Sequence, residues 1–200
     1  MIEVEKKFQV TEDQKRRLLE GAEFVYKKEI RDTYFDRGVE LCTQDLWLRE
    51  RDGRFELKEP LHTKGHDSRK ADQYREYETD AEIIAALKLE GETLSREGLA
   101  AQGFEPIVSY VTTRASYEKD GFTIVIDEAD FGYTVCEIER MADEGADINA
   151  LSDEIVVFAQ AQGLSGNPVL GKALVYFKRF DPDRFRAMVT AGIIDGTLAL

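Results

Sequence analysis

The chain has 200 residues, with 40 acidic against 27 basic side chains and a formal net charge of −13. That length suits one domain able to fold alone, and the acidic balance disfavours non-specific binding to nucleic acid or an anionic membrane. Two cysteines, Cys42 and Cys136, exclude a disulfide framework. No run is long and apolar enough for a spanning helix, and the charged start lacks the pattern of a secretory leader. The expected location is the cytoplasm.

The first segment, "IEVEKKF", alternates. Ile2, Val4 and Phe8 share one parity with Lys6, and Glu3, Glu5 and Lys7 share the other. A strand over 2–10 therefore carries both charge signs on one face. "TEDQKRRLLEG" over 11–21 reads as a helix with Thr11 as N-cap, Gln14 closing a capping box and Gly21 as stop. Strands follow at 44–51, 54–59 and 73–79, and the polar stretch 60–72 between the last two reads as a loop. A helix runs from Asp80 to Gly91. Strands at 107–117, 122–127 and 133–140 precede a helix from near Asp147 to near Gly163. The last elements are a strand over 172–180 and a helix capped by Asp181 with Pro182 in its first turn. Eight strands with scattered helices give an antiparallel, sheet-rich α+β domain. Residues 1–190 form that domain, and 191–200 a weakly structured tail.

The alternation test returns charge on nearly every strand. Trp47, Arg49 and Arg51 share a face; so do Glu56 and Lys58, then Tyr74, Glu76 and Glu78. Arg114 lies between Thr112 and Ser116, Asp127 opposes Ile124 and Ile126, and Glu137 and Glu139 oppose Cys136 and Ile138. A solvated polar face is the ordinary alternative. Against it stand the recurrence of charges two residues apart, the Arg-x-Arg pair and the mixing of signs. If the sheet curls into a barrel, these faces line a charged lumen. Carboxylates there suit a hard divalent cation, and Arg and Lys suit phosphate oxygens.

The Glu-x-Glu-x-Lys of Glu3 to Lys7 resembles the signature of the CYTH superfamily, the triphosphate tunnel metalloenzymes. "RDTYFD" at 31–36, "WLRER" at 47–51, "FELK" at 55–58, "TTRAS" at 112–116, "DEADFGY" at 127–133, "CEIER" at 136–140 and "GKALVYFKRF" at 171–180 extend the likeness to about residue 187. It is strongest to the animal thiamine triphosphatase members. The resemblance implies a closed, eight-stranded antiparallel β-barrel with flanking helices, acting as a monomer on a small-molecule triphosphate. The implied reaction is hydrolysis of thiamine triphosphate to thiamine diphosphate and phosphate with Mg²⁺ or Mn²⁺.

The resemblance also implies roles for residues. Glu3, Glu5, Asp127, Glu137 and Glu139 would hold the metal, directly or through water. Lys7, Arg49, Arg51, Arg114 and Lys172 would line the phosphate path, with Trp47 stacking on thiamine. Lys58 and Tyr34 would activate the attacking water, which asks for a depressed Lys58 pKa from neighbouring cations. The mammalian members carry a second aspartate where this chain has Val125, so one acidic position is missing. Alternatives sharing these residues are a general tripolyphosphatase, the more distant adenylate cyclase activity, and a polyphosphate- or nucleotide-binding module without turnover.

Other motifs carry less. "GNPVLGK" at 166–172 has P-loop spacing, but Ala173 follows the lysine and the segment is expected to enter a strand rather than a helix. "DFG" at 130–132 lacks the other kinase motifs. His62 and His66 fall in the polar loop, and both cysteines read as small apolar groups.

Overall fold

The computed structural model describes residues 1–61, 71–164 and 166–194. Eight strands close into one barrel: β1 Ile2–Phe8, β2 Glu23–Asp36, β3 Trp47–Arg51, β4 Arg54–Pro60, β5 Asp72–Tyr77, β6 Glu105–Lys119, β7 Phe122–Ala129 and β8 Tyr133–Ala142. Their order around the barrel is β1-β5-β4-β3-β2-β6-β7-β8, with β8 returning to β1. Every neighbouring pair is antiparallel.

Helices clothe the barrel. They are α1 Glu12–Leu19, α2 Asp80–Leu87, α3 Arg96–Ala101, α4 Ile148–Ala161, α5 Lys172–Phe180 and α6 Pro182–Thr190. The apolar parity of each strand faces outward beneath them. Val4, Ile124, Ile126 and Ile138 pack with Leu18 of α1 and Ile155 and Phe158 of α4. Phe35, Leu48 and Leu57 pack with Ile83 of α2 and Leu99 of α3. That leaves the charged parity facing the lumen, so the alternation in "IEVEKKF" separates a helix-covered exterior from a polar interior. Thr11 caps α1 with Gln14 completing the box, and Thr79, one residue before the expected start, does the same for α2 with Glu82. No helix among the described residues is long and apolar enough to cross a membrane.

The count of eight strands matches expectation, but its membership does not. The stretch 172–180 is helix α5, and the eighth strand is β2. In α5 the buried side chains are Lys172, Ala173, Leu174 and Phe177, a helical stripe rather than an alternation. Its aromatic and β-branched content resembles a strand, but Lys178 and Arg179 in the last turn suit a helix C-terminus. Strand β2 is exposed on both faces over Glu23–Glu29, and its register shifts between Phe24 and Tyr26, so no alternation marks its first half. Short helix α3 was also unforeseen. Strand β3 starts at Trp47, later than the expected 44, because a 3-10 turn at Cys42–Gln44 and a left-handed Asp45 precede it. Strand β4 extends to Pro60 and β5 starts at Asp72, which trims the expected loop 60–72. Residues 62–70, with His62 and His66, lie outside the described residues, as does 195–200. Ile193 and Ile194 are buried against α5 and α6, so packed structure runs past the expected boundary at 190.

Candidate active site

The lumen encloses a cavity of about 320 Å³, a size suited to a small molecule. Its lining includes Glu3, Glu5, Lys7, Tyr34, Trp47, Arg49, Arg51, Lys58, Arg114, Glu137, Glu139 and Lys172. These are twelve of the thirteen residues singled out from the sequence. The thirteenth, Asp127, has no exposed surface and sits behind the wall.

Register brings the carboxylates together. Glu5 pairs with Glu139 across β1 and β8, and Glu3 lies two residues along from Glu5. Glu3, Glu5 and Glu139 each offer an oxygen, all within 4.8 Å of one another. Such crowding opposes ionisation. Burial, then Glu5 and Glu76, raise Glu3 to about 7 against the pull of Lys58. Burial, then Glu3, hold Glu139 well above the carboxylate range, with Arg114 opposing. Three clustered carboxylate oxygens fit a hard divalent cation, which would relieve the crowding that raises Glu3 and Glu139.

The other two acidic candidates are engaged differently. Asp127 accepts a two-pronged pair from Arg114, at 2.8 Å from Nε and 2.7 Å from the NH2 nitrogen. It also accepts from Lys172. Glu137 lies 3.1 Å from Arg114 and 3.3 Å from Lys172. Burial would raise Glu137, but Lys172, Arg114 and Lys7 outweigh it and the group stays below the usual range. Asp127 thus holds cations in place from behind, and Glu137 does so from the lumen. Val125 is buried between Ser116 and Glu137, at the position two residues from Asp127.

The basic wall is built the same way. Arg51 clamps Asp32 through Nε at 2.7 Å and its NH2 nitrogen at 2.9 Å. Arg49 pairs with Glu56 at 2.8 Å. Burial would raise Asp32, but Arg49 and Arg51 bring it down to about 2. Lys7 bonds Glu5 at 2.5 Å and Asp72 at 2.9 Å. Lys58 bonds Glu3 and lies 3.3 Å from Glu76. Its pKa moves opposite to the depression expected from neighbouring cations. Burial lowers it, but Glu3, Glu5 and Glu76 raise it further, because Lys58 faces the acidic strands rather than the arginines. Tyr34 lies opposite Arg49 and Lys58 opposite Trp47, so the two are two strands apart. Trp47 stands edge-on to Tyr34 at 6.1 Å.

Several lining or supporting residues were not assigned from the sequence. Asp32 shares parity with Tyr34 in "RDTYFD" and was findable. Glu76 and Tyr74 alternate within "YREYE". Asp72 was hidden in the stretch read as a loop. Residues 166–171 and the first turn of α5 also line the cavity. The P-loop-like segment enters a helix, contrary to expectation, so that ground for rejecting it fails. Ala173 still supplies no hydroxyl, and the element before the segment is helix α4, not a strand. Gly171 at the α5 N-cap comes so close to Lys7 that a Cβ would sit 3.3 Å from Lys7 Cε. Cys42 and Cys136 are buried, and burial pushes Cys42 up to about 12 and Cys136 upward as well, consistent with inert packing.

Residues 1–169 match the CYTH domain. The chain belongs to the CYTH family. It is 29% identical over 213 residues to a thiamine-triphosphatase of Macaca fascicularis, covering 94% of this chain and 90% of that protein. Among solved structures, the PH1819 protein of Pyrococcus horikoshii shares the fold, superposing with a TM-score of 0.60 at 22% identity and covering 82% of this chain and 91% of that one. A Hippeastrum protein, described as a putative adenylyl cyclase with a dominant triphosphatase activity, superposes with a TM-score of 0.52 at 18% identity, covering 86% and 93%. Lys172 and helices α5 and α6 fall beyond the matched CYTH segment.

Proposed function

We propose that this CYTH protein hydrolyses thiamine triphosphate to thiamine diphosphate and phosphate, using Mg²⁺ or Mn²⁺. One observation carries the reading. A single cavity sets three clustered carboxylates against a wall of arginines and lysines, with an indole on the same wall. The likeness to animal thiamine-triphosphatases over 94% of the chain supports the choice of substrate.

In this reading Glu3, Glu5 and Glu139 hold the cation, which supplies charge neutralisation on the polyphosphate. Arg49, Arg51 and Arg114 orient phosphate oxygens through planar, two-pronged contacts. Lys7 and Lys172 add compact charge. Phosphoryl transfer depends mostly on such positioning and electrostatics. Lys58 enters as a cation bonded to Glu3, and with Tyr34 it directs the attacking water. Trp47 offers the thiazolium a cation–π face.

The test is phosphate release from thiamine triphosphate, tripolyphosphate and ATP, each with Mg²⁺, with Mn²⁺ and with excess EDTA. Thiamine triphosphate is expected to be the best substrate and EDTA to abolish turnover. Equal rates on all three would give a generalist triphosphatase, and tight binding without release a binding module. Either overturns the reading.

A further inference from the structure

Asp45 is the last residue before Leu46 and Trp47, and its environment is unusual on three counts. It is 2% exposed. Its backbone is left-handed, at φ 62° and ψ 25°, closing the 3-10 turn. A non-glycine residue keeps such a conformation where its surroundings over-determine it. Finally, one carboxylate oxygen, Oδ1, accepts from two cavity-lining rings. Trp47 Nε1 donates at 2.9 Å and the Tyr74 hydroxyl at 3.0 Å. Trp47 lies on β3 and Tyr74 on β5, with β4 between them.

Glycine or asparagine would serve the backbone here at least as well as aspartate. What only aspartate supplies is a charged acceptor. Hydrogen bonds to an ionised carboxylate are the stronger kind. This one fixes the N–H edge of the indole while Tyr34, edge-on at 89°, confines it from another side. The ring is thereby presented to the lumen in one orientation. A negative charge behind its N–H also makes the ring a better partner for a cation.

We propose that Asp45 is a positioning residue that sets Trp47 for a cationic aromatic ring and so establishes preference for an organic triphosphate over a bare one. The inference rests on the reading of Trp47 given under Proposed function. It places Asp45 outside the phosphate path, acting through the indole and not on the reacting atoms.

The chain has one tryptophan, so its fluorescence reports this ring alone. Asp45→Gly keeps the left-handed backbone accessible and removes the carboxylate; Asp45→Asn keeps one acceptor oxygen. For Asp45→Gly, acrylamide quenching of Trp47 is expected to rise. KM for thiamine triphosphate is expected to rise roughly fivefold, within the range a cation–π contact supplies. kcat should move less, so the ratio of kcat/KM between thiamine triphosphate and tripolyphosphate falls. Asp45→Asn, which keeps an acceptor oxygen without the charge, should recover part of the quenching protection and less of the substrate ratio. In a Trp47→Phe background, Asp45→Gly should change the ratio little further.

A folded Asp45→Gly protein with wild-type quenching and an unchanged substrate ratio would overturn the proposal. So would equal losses on both substrates, the mark of a purely structural residue. Failure of the thiamine reading itself shows separately, as a wild-type enzyme that does not distinguish the two substrates.

Discussion

The acidic and basic walls of the lumen solve the same problem in opposite ways. On the basic wall each cation already has its anion: Arg51 has Asp32, Arg49 has Glu56, and Arg114 has Asp127. The carboxylate Asp32 is correspondingly held at about 2. On the acidic wall Glu3, Glu5 and Glu139 converge with fewer cations than charges, and Glu3 rises to about 7. The basic wall is charge-paired as folded, whereas the acidic wall leaves a carboxylate cluster that suits a divalent cation. Stabilising charge pairs are therefore concentrated on one side, and the carboxylate cluster proposed to hold a metal lies on the other.

The sharpest way to break that comparison is a matched pair of substitutions. Glu139→Gln should lower kcat/KM by about 100-fold or more, since metal contributions to such transition states are several kcal/mol. Its melting temperature should hold or rise, because repulsion is relieved. Asp32→Asn should do the reverse to stability. It leaves Arg51 without its clamp, and breaking a buried pair from one side costs about 3 kcal/mol or more. Thermal unfolding of both proteins reads the contrast. A large melting-temperature loss in Glu139→Gln with none in Asp32→Asn would invert it.

Lys58 sits where the walls meet, and Lys58→Arg keeps its charge but not its compact shape. We expect kcat to fall roughly tenfold or more with little change in melting temperature, because a group that orients the attacking water loses its effect when its charge is displaced. Wild-type kcat would remove Lys58 from the chemistry. Trp47→Ala should raise KM for thiamine triphosphate roughly tenfold and affect tripolyphosphate much less. Equal losses on both, with a lowered melting temperature, would make the indole a core residue only.

The smallest expected effect is in pH dependence. Glu3 binds its proton more tightly folded, at about 7, than at its ordinary 4.5. The folded state therefore holds more protons between those values, and metal-free stability falls as pH rises through that window. Mg²⁺ should flatten the decline. Asp32 has the opposite sign. Its contribution is present above its ordinary 3.8 and is lost as the pH falls toward 2. Melting temperatures from pH 2 to 8, with and without Mg²⁺, separate the two. A metal-free curve that rises between pH 5 and 7 would place the strain elsewhere.

Much of this architecture was legible in the residues. Alternation in "IEVEKKF", "WLRER", "FELK" and "CEIER" identified which side chains share a face, because a strand has a fixed period of two. Capping chemistry placed α1, α4 and α6 for the same local reason. Alternation failed where the local signal and the tertiary role diverge. The first half of β2 is exposed on both faces, and α5 carries strand-like side chains on a helical stripe. Asp45 gave no signal, since its two ring partners lie 2 and 29 residues away.

By itself, then, the sequence determined the two faces of each strand and the set of charged residues available to them. Only the closed barrel decided which of them meet. It brought Lys58 onto Glu3 across 55 residues and Lys172 onto Asp127 across 45. It divided five candidate metal carboxylates into a clustered three and two that hold cations. The same closure turned Lys58 from an expected depressed lysine into a firmly protonated one. The physical reason is that a group's charge state depends on the summed field and desolvation at its place in space. Those are set by barrel closure and inter-strand register, which local periodicity does not encode.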